Sequence, residues 1–234
     1  MNGELPFATD LDWQPLWLTL QLALCTTTIL LLLGIPVAYW IAYTRTRLKP
    51  LVETLISMPL VLPPSVLGFY LLLAFSPQHA FGQWLQHWMH LRLAFSFPGL
   101  VLGSVIFSLP FMVQPLQSGF QDLPVSLIEA SRTLGKSDLF TLFRILLPNM
   151  KSALLTGAVL SFAHAIGEFG VVLMIGGNIP GETRVASIAI YDEVESLHYG
   201  AANFYALILF ALSFAILLIV FLMNRRWLRT VRFD

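Results

Sequence analysis

Charged side chains are scarce in this 234-residue sequence: Lys, Arg, Asp and Glu make up 11% of it, against 57% hydrophobic residues. A soluble domain usually carries about 25% charged residues, so there is too little charge here to cover a water-facing surface. The 13 basic and 13 acidic residues balance to a net charge of zero, which leaves no global basic field for nucleic acid. The composition predicts an integral membrane protein that lies in the lipid bilayer and binds no nucleic acid.

Cysteine is almost missing, and Cys25 is the single one. It has no partner for an internal disulfide or a CxxC metal site. His79, His87 and His90 fall within one short segment, so a three-histidine metal site is conceivable. No carboxylate or cysteine joins them, and two tryptophans accompany them. This favours a helix at the membrane interface, and we expect no metal site.

Five apolar stretches are long enough to cross a membrane. Each is close to or above the roughly 20 residues that a helix needs to cross about 30 Å of hydrocarbon. Because a span must satisfy its own backbone polar groups, all five should be helices. We expect one all-α transmembrane domain over residues 1–234, with a long connecting loop at 117–152. The predicted spans are residues 16–43, 51–75, 97–116, 153–175 and 201–223.

The distribution of basic residues orients these spans. The segments after the first span, between the third and fourth, and after the fifth hold 11 of the 13 Lys and Arg residues. Cytoplasmic loops collect Lys and Arg, so this arrangement predicts an outer N-terminus and a cytoplasmic C-terminus. Asp10 and Tyr191 should then lie outside, and Lys136 and Arg229 inside.

Two spans contain residues that are unusual in a membrane helix. Pro59, Pro63, Pro64 and Ser65 interrupt the second span, and freed carbonyls near a proline must be met by neighbours or by a water-lined cavity. One interpretation is a packing kink, and the other is a bend that lines a substrate path.

The fourth span contains a histidine, a glutamate and two glycines. His164 and Glu168 are four residues apart, so on a helix they would share a face and could pair. An ionisable residue inside a span suggests function by default. The alternative is a structural pair at a helix contact, with Gly167 and Gly170 allowing close approach. Phe169 lies between Glu168 and Gly170 and is also a candidate residue of the substrate path.

The loop at 117–152 contains the pattern of a short amphipathic helix. Asp122 and Ser126 are candidate N-terminal caps, Glu129 lies near the positive dipole end, and Gly135 can end the helix. We expect one apolar face, offered to a groove on a soluble partner. Its members at helical spacing are Leu127, Ala130, Ser131 and Leu134.

Here the sequence resembles a known family. Glu129, Ala130, Ser131 and Gly135, followed by the Ile145-x-Leu147-Pro148 string, are similar to the EAA loop of type I ABC-importer permeases. Ser131 departs from the commonest form, which has Ala. In that family this loop docks onto an ATPase subunit. The resemblance implies a five-span bundle with a cytoplasmic coupling helix, in the inner membrane. It also implies a homodimer with two ATP-binding subunits and a periplasmic binding protein, working by alternating access.

Longer strings resemble the molybdate permease branch of that family, which implies molybdate import. They cover residues 59–68, 167–172, 175–183 and 191–194. Sulfate permeases share the Gly-Glu-Phe-Gly segment, so a sulfate or thiosulfate permease stays the main alternative. A secondary carrier is more remote, because it does not explain the loop, and a membrane enzyme lacks an HExxH or paired-carboxylate cluster.

The same loop also fits a permissive Walker A pattern, from Ala130 to Ser137. A phosphate-binding loop needs a preceding strand and a following helix within an α/β domain. About 35 residues between two membrane spans leave no room for one. We therefore expect this chain to bind no ATP and no other cofactor, and a partner subunit to hydrolyse ATP.

Overall fold

The structure is a computed structural model that describes residues 12–230. Every regular element within those residues is helical, which confirms the all-α class. The expected outer position of Asp10 falls outside the described residues. In chain order the helices are α1 (Gln14–Tyr43), α2 (Lys49–Ser57) with a 3-10 extension (Met58–Leu60), α3 (Pro64–Phe75), α4 (Ala80–Met89), α5 (Phe97–Gln121), α6 (Val125–Thr133), α7 (Asp138–Thr141), a π-helical turn (Leu142–Leu146), α8 (Leu147–Asn149), α9 (Lys151–Ile166), α10 (Gly170–Gly176), α11 (Ala186–Glu195) and α12 (Tyr199–Thr230).

Within residues 12–230, three helices are each long and apolar enough to cross a membrane, namely α1, α5 and residues Tyr199–Ile219 of α12. They correspond to the predicted first, third and fifth spans. Two bent helix pairs bring the number to as many as five, if each pair counts as one span.

The second predicted span is sharply bent. Residues Lys49–Leu60 and α3 meet at 110°. Pro63 adopts φ −55° and ψ 135° at the N-cap of α3, and Pro64 is the first residue of that helix. Proline lacks a backbone N–H and disfavours a helical residue before it. The two adjacent prolines therefore account for the end of one helix and the start of the next.

The fourth predicted span is not one helix either, and the expectation of a continuous run over 153–175 is corrected. Helix α9 ends at Ile166, residues 167–169 are non-helical, and α10 resumes at Gly170. Phe169 has φ −128° and ψ −61°, outside the helical region. A second bend of 81° separates α9 from Asp138–Asn149 before it.

Helices α1, α5 and α9 form the centre of the bundle. Met112 on α5 is fully buried between the other two helices. A Cβ on Gly34 of α1 would lie 2.7 Å from Met112 Cγ, and one on Gly157 of α9 would lie 3.1 Å from its Sδ. Small residues at these two positions thus let both helices approach α5 closely.

Hydrogen bonds between distant segments define the two ends of the bundle. At one end the Tyr43 hydroxyl donates to the carbonyl of Phe120, 2.9 Å away, which joins the ends of α1 and α5. At the other end the Tyr205 hydroxyl donates to the carbonyl of Asp12, 2.7 Å away. There the backbone N–H of Ala186 also donates to Thr19 Oγ1 at 2.8 Å. The loop with α6 to α8 follows α5 and lies at the first end, and α11 lies at the second.

Candidate translocation site and coupling loop

The two helix breaks lie against each other. A Cβ on Gly170 would lie 2.8 Å from Cβ of Pro64 and 3.4 Å from the backbone nitrogen of Ser65. One turn further, a Cβ on Gly68 would lie 2.8 Å from Met174 Cβ. Glycine is therefore required for this close packing of α10 on α3. Of the candidate path residues, Pro64, Ser65 and Gly170 are brought together, and Pro63 lies directly before them as the N-cap of α3.

Glu168 lies inside the second break and is buried, with 4% of its surface exposed. Its Oε2 accepts a hydrogen bond from the hydroxyl of Ser104 on α5. Its Oε1 has no hydrogen-bond partner within the described residues. The backbone carbonyl of Glu168 accepts a hydrogen bond from Ser187 Oγ at 2.6 Å. One residue thus joins the break to α5 and to α11.

His164 makes a separate contact with α5. Its Nδ1 lies 2.9 Å from Ser108 Oγ. Its ring stacks on Phe111 with centroids 4.1 Å apart and tilts against Phe107 at 4.8 Å. The predicted pairing of His164 with Glu168 is wrong, because α9 ends between them at Ile166. Each residue instead contacts its own serine on α5.

The glycines and the aromatic residue of the break differ in role. A Cβ on Gly167 would come no closer than 3.8 Å to its neighbours, so this glycine is not needed for space. The close-approach interpretation therefore holds for Gly170 but not for Gly167. The ring of Phe169 packs against Tyr191 of α11, with centroids 5.2 Å apart.

The turn between α10 and α11 is held by a compact polar network. The buried Thr183 hydroxyl donates to the carbonyl of Gly176 at 2.8 Å. Arg184 donates from Nε to Asn178 Oδ1 at 2.6 Å and forms a 2.9 Å ion pair with Asp192. The strings 175–183 and 191–194, which are separate motifs in the sequence, therefore contribute to one hydrogen-bonded cluster.

The first helix of the coupling loop after α5 is α6, and Gly135 terminates this helix as expected. Gly135 has φ +67°. Its N–H donates to the carbonyl of Arg132 at 2.9 Å, and the N–H of Lys136 donates to that of Ser131 at 3.1 Å. These two bonds form a Schellman motif, in which glycine accommodates the left-handed backbone.

The start and the face of α6 differ from the prediction. Asp122 is the C-cap of α5, which runs five residues beyond the predicted 116, and Ser126 lies inside α6. The N-cap is Pro124. The expected single apolar face is divided, since Ser131 is buried whereas Ala130 and Leu134 are exposed.

The buried side of α6 is fixed to α7 by two hydroxyls. Ser131 Oγ lies 2.7 Å from Thr141 Oγ1, and both side chains are buried at 1% exposure. Thr141 Oγ1 also donates to the carbonyl of Ser137 at 3.0 Å. The serine that departs from the commonest motif form therefore has a defined hydrogen-bond partner.

The solvent-exposed surface of the coupling loop is largely apolar. Glu129 is exposed on α6. Ile145 and Leu147 are half-buried, and Pro148 follows them in α8 before the chain turns into α9. The exposed apolar side chains are Val125 at 64%, Leu134 at 73%, Leu139 at 68% and Phe143 at 59%.

Sequence reasoning missed several polar residues on α5. Ser104 and Ser108 are both fully buried and contact Glu168 and His164. Ser104 and Ser108 are four residues apart in an apolar span, as are His164 and Glu168. This matching spacing is the sequence feature that indicates their contact. The three histidines near α4 form no metal cluster, and within residues 12–230 no group of three or more metal-ligating side chains is present.

Comparisons with known proteins agree with this architecture. Residues 31–229 match the family model for the inner membrane component of binding-protein-dependent transport systems. The molybdenum transport system permease protein ModB of Azotobacter vinelandii is 44% identical over 214 residues, 92% of this chain and 95% of that protein. A probable sulfate transport system permease protein, cysT of Nephroselmis olivacea, is 31% identical over 86% of this chain and 71% of its own length.

A solved structure shares the fold at low identity. It is a bacterial alginate ABC transporter in complex with an alginate pentasaccharide-bound periplasmic protein. The TM-score is 0.73 at 19% identity, over 94% of this chain and 80% of that one. At that identity the similarity concerns the fold alone, which is the permease bundle of an importer.

Proposed function

The chain belongs to the family of binding-protein-dependent transport system inner membrane components, and on that premise we propose that it is the permease subunit of an ATP-driven molybdate importer. It is a transport subunit and not an enzyme, like the transport permeases to which it is similar. The observation that carries the substrate is the 44% identity to a molybdenum permease over 92% of this chain.

Sulfate is the second candidate substrate. The sulfate permease relative is less similar, at 31% identity. Molybdate and sulfate are both tetrahedral dianions. Within the five predicted spans, the sequence contains no Lys or Arg that would hold either of them tightly. A path must bind its substrate weakly enough to release it. We therefore assign most of the selectivity to the binding protein that delivers the anion.

The proposed assembly contains two copies of this chain, two ATP-binding subunits on the cytoplasmic face and a periplasmic binding protein. The end of the bundle with α6 to α8 is the cytoplasmic end, because basic residues collect around it. Arg45, Lys136 and Arg144 belong to its segments. The end with α11 and the start of α1 then faces outward.

The contacts of the loop suggest how ATP binding reaches the path. The exposed apolar side chains Val125 and Leu134 on α6 would insert into a groove of the ATP-binding subunit. The Ser131–Thr141 hydrogen bond joins α6 to α7, and Asp138–Asn149 leads into α9. Helix α9 ends at the break that packs on Pro64. Movement of α6 would thus shift the two breaks together, and this shift would open and close the path.

An uptake experiment tests the substrate. Cells that lack this chain should lose uptake of labelled molybdate at nanomolar concentration, and a plasmid copy should restore it. A 100-fold excess of sulfate should leave the restored uptake unchanged. Normal molybdate uptake in the deletion strain, together with a loss of sulfate uptake, would assign the chain to sulfate instead.

A further inference from the structure

Helix α5 carries exposed polar side chains at a depth where lipid tails are expected. Gln114 is exposed, and it is five residues from the middle of the 25-residue helix. At 1.5 Å per residue this is about 7.5 Å from the helix midpoint. Gln114 falls within the predicted third span, residues 97–116, in the half nearer the coupling loop.

Gln114 is hydrogen-bonded to the bent second span. Its Nε2 donates to Ser57 Oγ on α2, 3.2 Å away, and Ser57 is half-buried. One turn nearer the coupling loop, Gln117 Nε2 donates to Glu53 Oε1 at 2.8 Å. Lys49 Nζ lies 4.0 Å from the same carboxylate oxygen. The two contacts form a short polar ladder between α2 and α5.

A carboxamide that faced lipid would have an unsatisfied N–H in hydrocarbon, which is costly. Polar residues in spans instead face the bundle interior or a water-filled cavity. The exposed side of Gln114 must therefore be covered by water or protein. The stacked pair of Phe111 and His164, both half-buried, lies one turn away on the same face of α5, so Gln114 lies between this pair and the coupling loop.

We propose that the Gln114–Ser57 pair is a hydrogen-bonding subsite for the tetrahedral oxyanion as it crosses the membrane, an inference that rests on the proposed function. Gln114 uses one N–H on Ser57 and keeps a second, and the Ser57 hydroxyl can donate its own proton. Two neutral donors can contact an oxyanion oxygen without holding the dianion as an ion pair would. A second copy of the chain would offer the same two donors.

The polar ladder also contains a negatively charged side chain, Glu53, beside the proposed subsite. Glu53 would repel an oxyanion, but Gln117 donates to it and Lys49 lies beside it. The Gln117 donor and the Lys49 ammonium offset part of its negative charge. The subsite thus lies between the breaks and the cytoplasmic end, where the anion leaves the membrane.

Cysteine labelling of the reconstituted full transporter tests whether the surface at position 114 is wet. Gln114→Cys is made in a Cys25→Ser background, and Phe210→Cys is the matched control. Phe210 is 70% exposed on α12 and lies near the middle of Tyr199–Ile219. A charged methanethiosulfonate should modify position 114 at least about tenfold faster than position 210, since only a wet thiol ionises.

Equal rates at the two positions would mean that Gln114 faces lipid, and would overturn the proposal. A disulfide between two copies at position 114 with no labelling would indicate a dry dimer contact, which is incompatible with a subsite.

Transport kinetics give a second, independent measurement. Gln114→Glu should reduce the rate of ATP-dependent molybdate uptake by at least about tenfold, because a carboxylate in the path repels the dianion. Gln114→Asn keeps the amide and should stay within about threefold of wild type. If wild type itself takes up no molybdate, the proposed function fails. If wild type transports and Gln114→Glu matches it, only the subsite is refuted.

Discussion

Replacing Ser104 by alanine tests whether the break at residues 167–169 is held by its contact with α5. Ser104 is fully buried and its hydroxyl is the one hydrogen-bond donor to the Glu168 carboxyl within the described residues. After Ser104→Ala, both carboxyl oxygens would be buried without a partner.

The expected loss follows from two measured ranges. Interhelical hydrogen bonds in membrane proteins contribute about 0.6 kcal/mol on average and about 1.7 at most. A buried group left without its partner costs about 1–3 kcal/mol. We expect Ser104→Ala to lower the unfolding free energy by about 1–3 kcal/mol. For a chain of this size each kcal/mol corresponds to about 2–4 °C in Tm.

Ser161→Ala is the matched control. Ser161 is also fully buried, on α9, but its hydroxyl has no hydrogen-bond partner within residues 12–230. Removing that hydroxyl should change the stability by less than about 0.5 kcal/mol or raise it. Thermal unfolding of both variants in one detergent gives the comparison. Equal Tm values for Ser104→Ala and Ser161→Ala would refute the claim that this contact holds the break.

Three further predictions concern the coupling loop and the topology. Gly135→Ala should destabilise the end of α6 by about 1–2 kcal/mol through its left-handed backbone alone, since a Cβ there meets nothing within 4 Å. Less of the ATP-binding subunit should then co-purify with this variant than with the wild-type chain. Co-purification of the same amount would contradict the coupling role. Ser131→Ala should remove the bond to Thr141 and speed hydrogen exchange in α6 by about threefold to tenfold; unchanged exchange would show that this bond does not hold the helix. Cysteines at Tyr191 and Lys136, in a chain without Cys25, should react with an impermeant reagent in intact cells at 191 and not at 136; the reverse pattern would invert the topology.

The straight spans could be predicted from the sequence, and the bends only in part. Helices α1 and α5 follow from uninterrupted apolar runs, because length and composition decide whether a helix crosses a membrane. The bend before α3 was signalled by Pro63 and Pro64, which act locally on the backbone. The break after Ile166 has a weaker local signal, Gly167 at the C-cap of α9, and its contacts with Ser104 and Ser187 come from segments distant in sequence.

The site shows the same division between local and distant causes. The end of α6 at Gly135 was predictable, because a left-handed C-terminal residue favours glycine. Its start was not, because α5 continues through Gln121 and uses Asp122 as its own cap. The pairing of His164 with Glu168 failed because it assumed an unbroken helix. Gln114 was overlooked because an amide in an apolar run is conspicuous only once its exposure is known.

Reconstitution tests the central claim that this chain is the permease of an ATP-driven molybdate importer. Liposomes would contain two copies of the chain with the ATP-binding subunit, and would be supplied with the molybdate-loaded binding protein outside and ATP inside. The account predicts that labelled molybdate accumulates inside only while ATP is hydrolysed, and that the Walker A lysine of the partner subunit is required. Molybdate entry at the same rate without ATP hydrolysis would contradict it, because the chain would then be a channel or a secondary carrier.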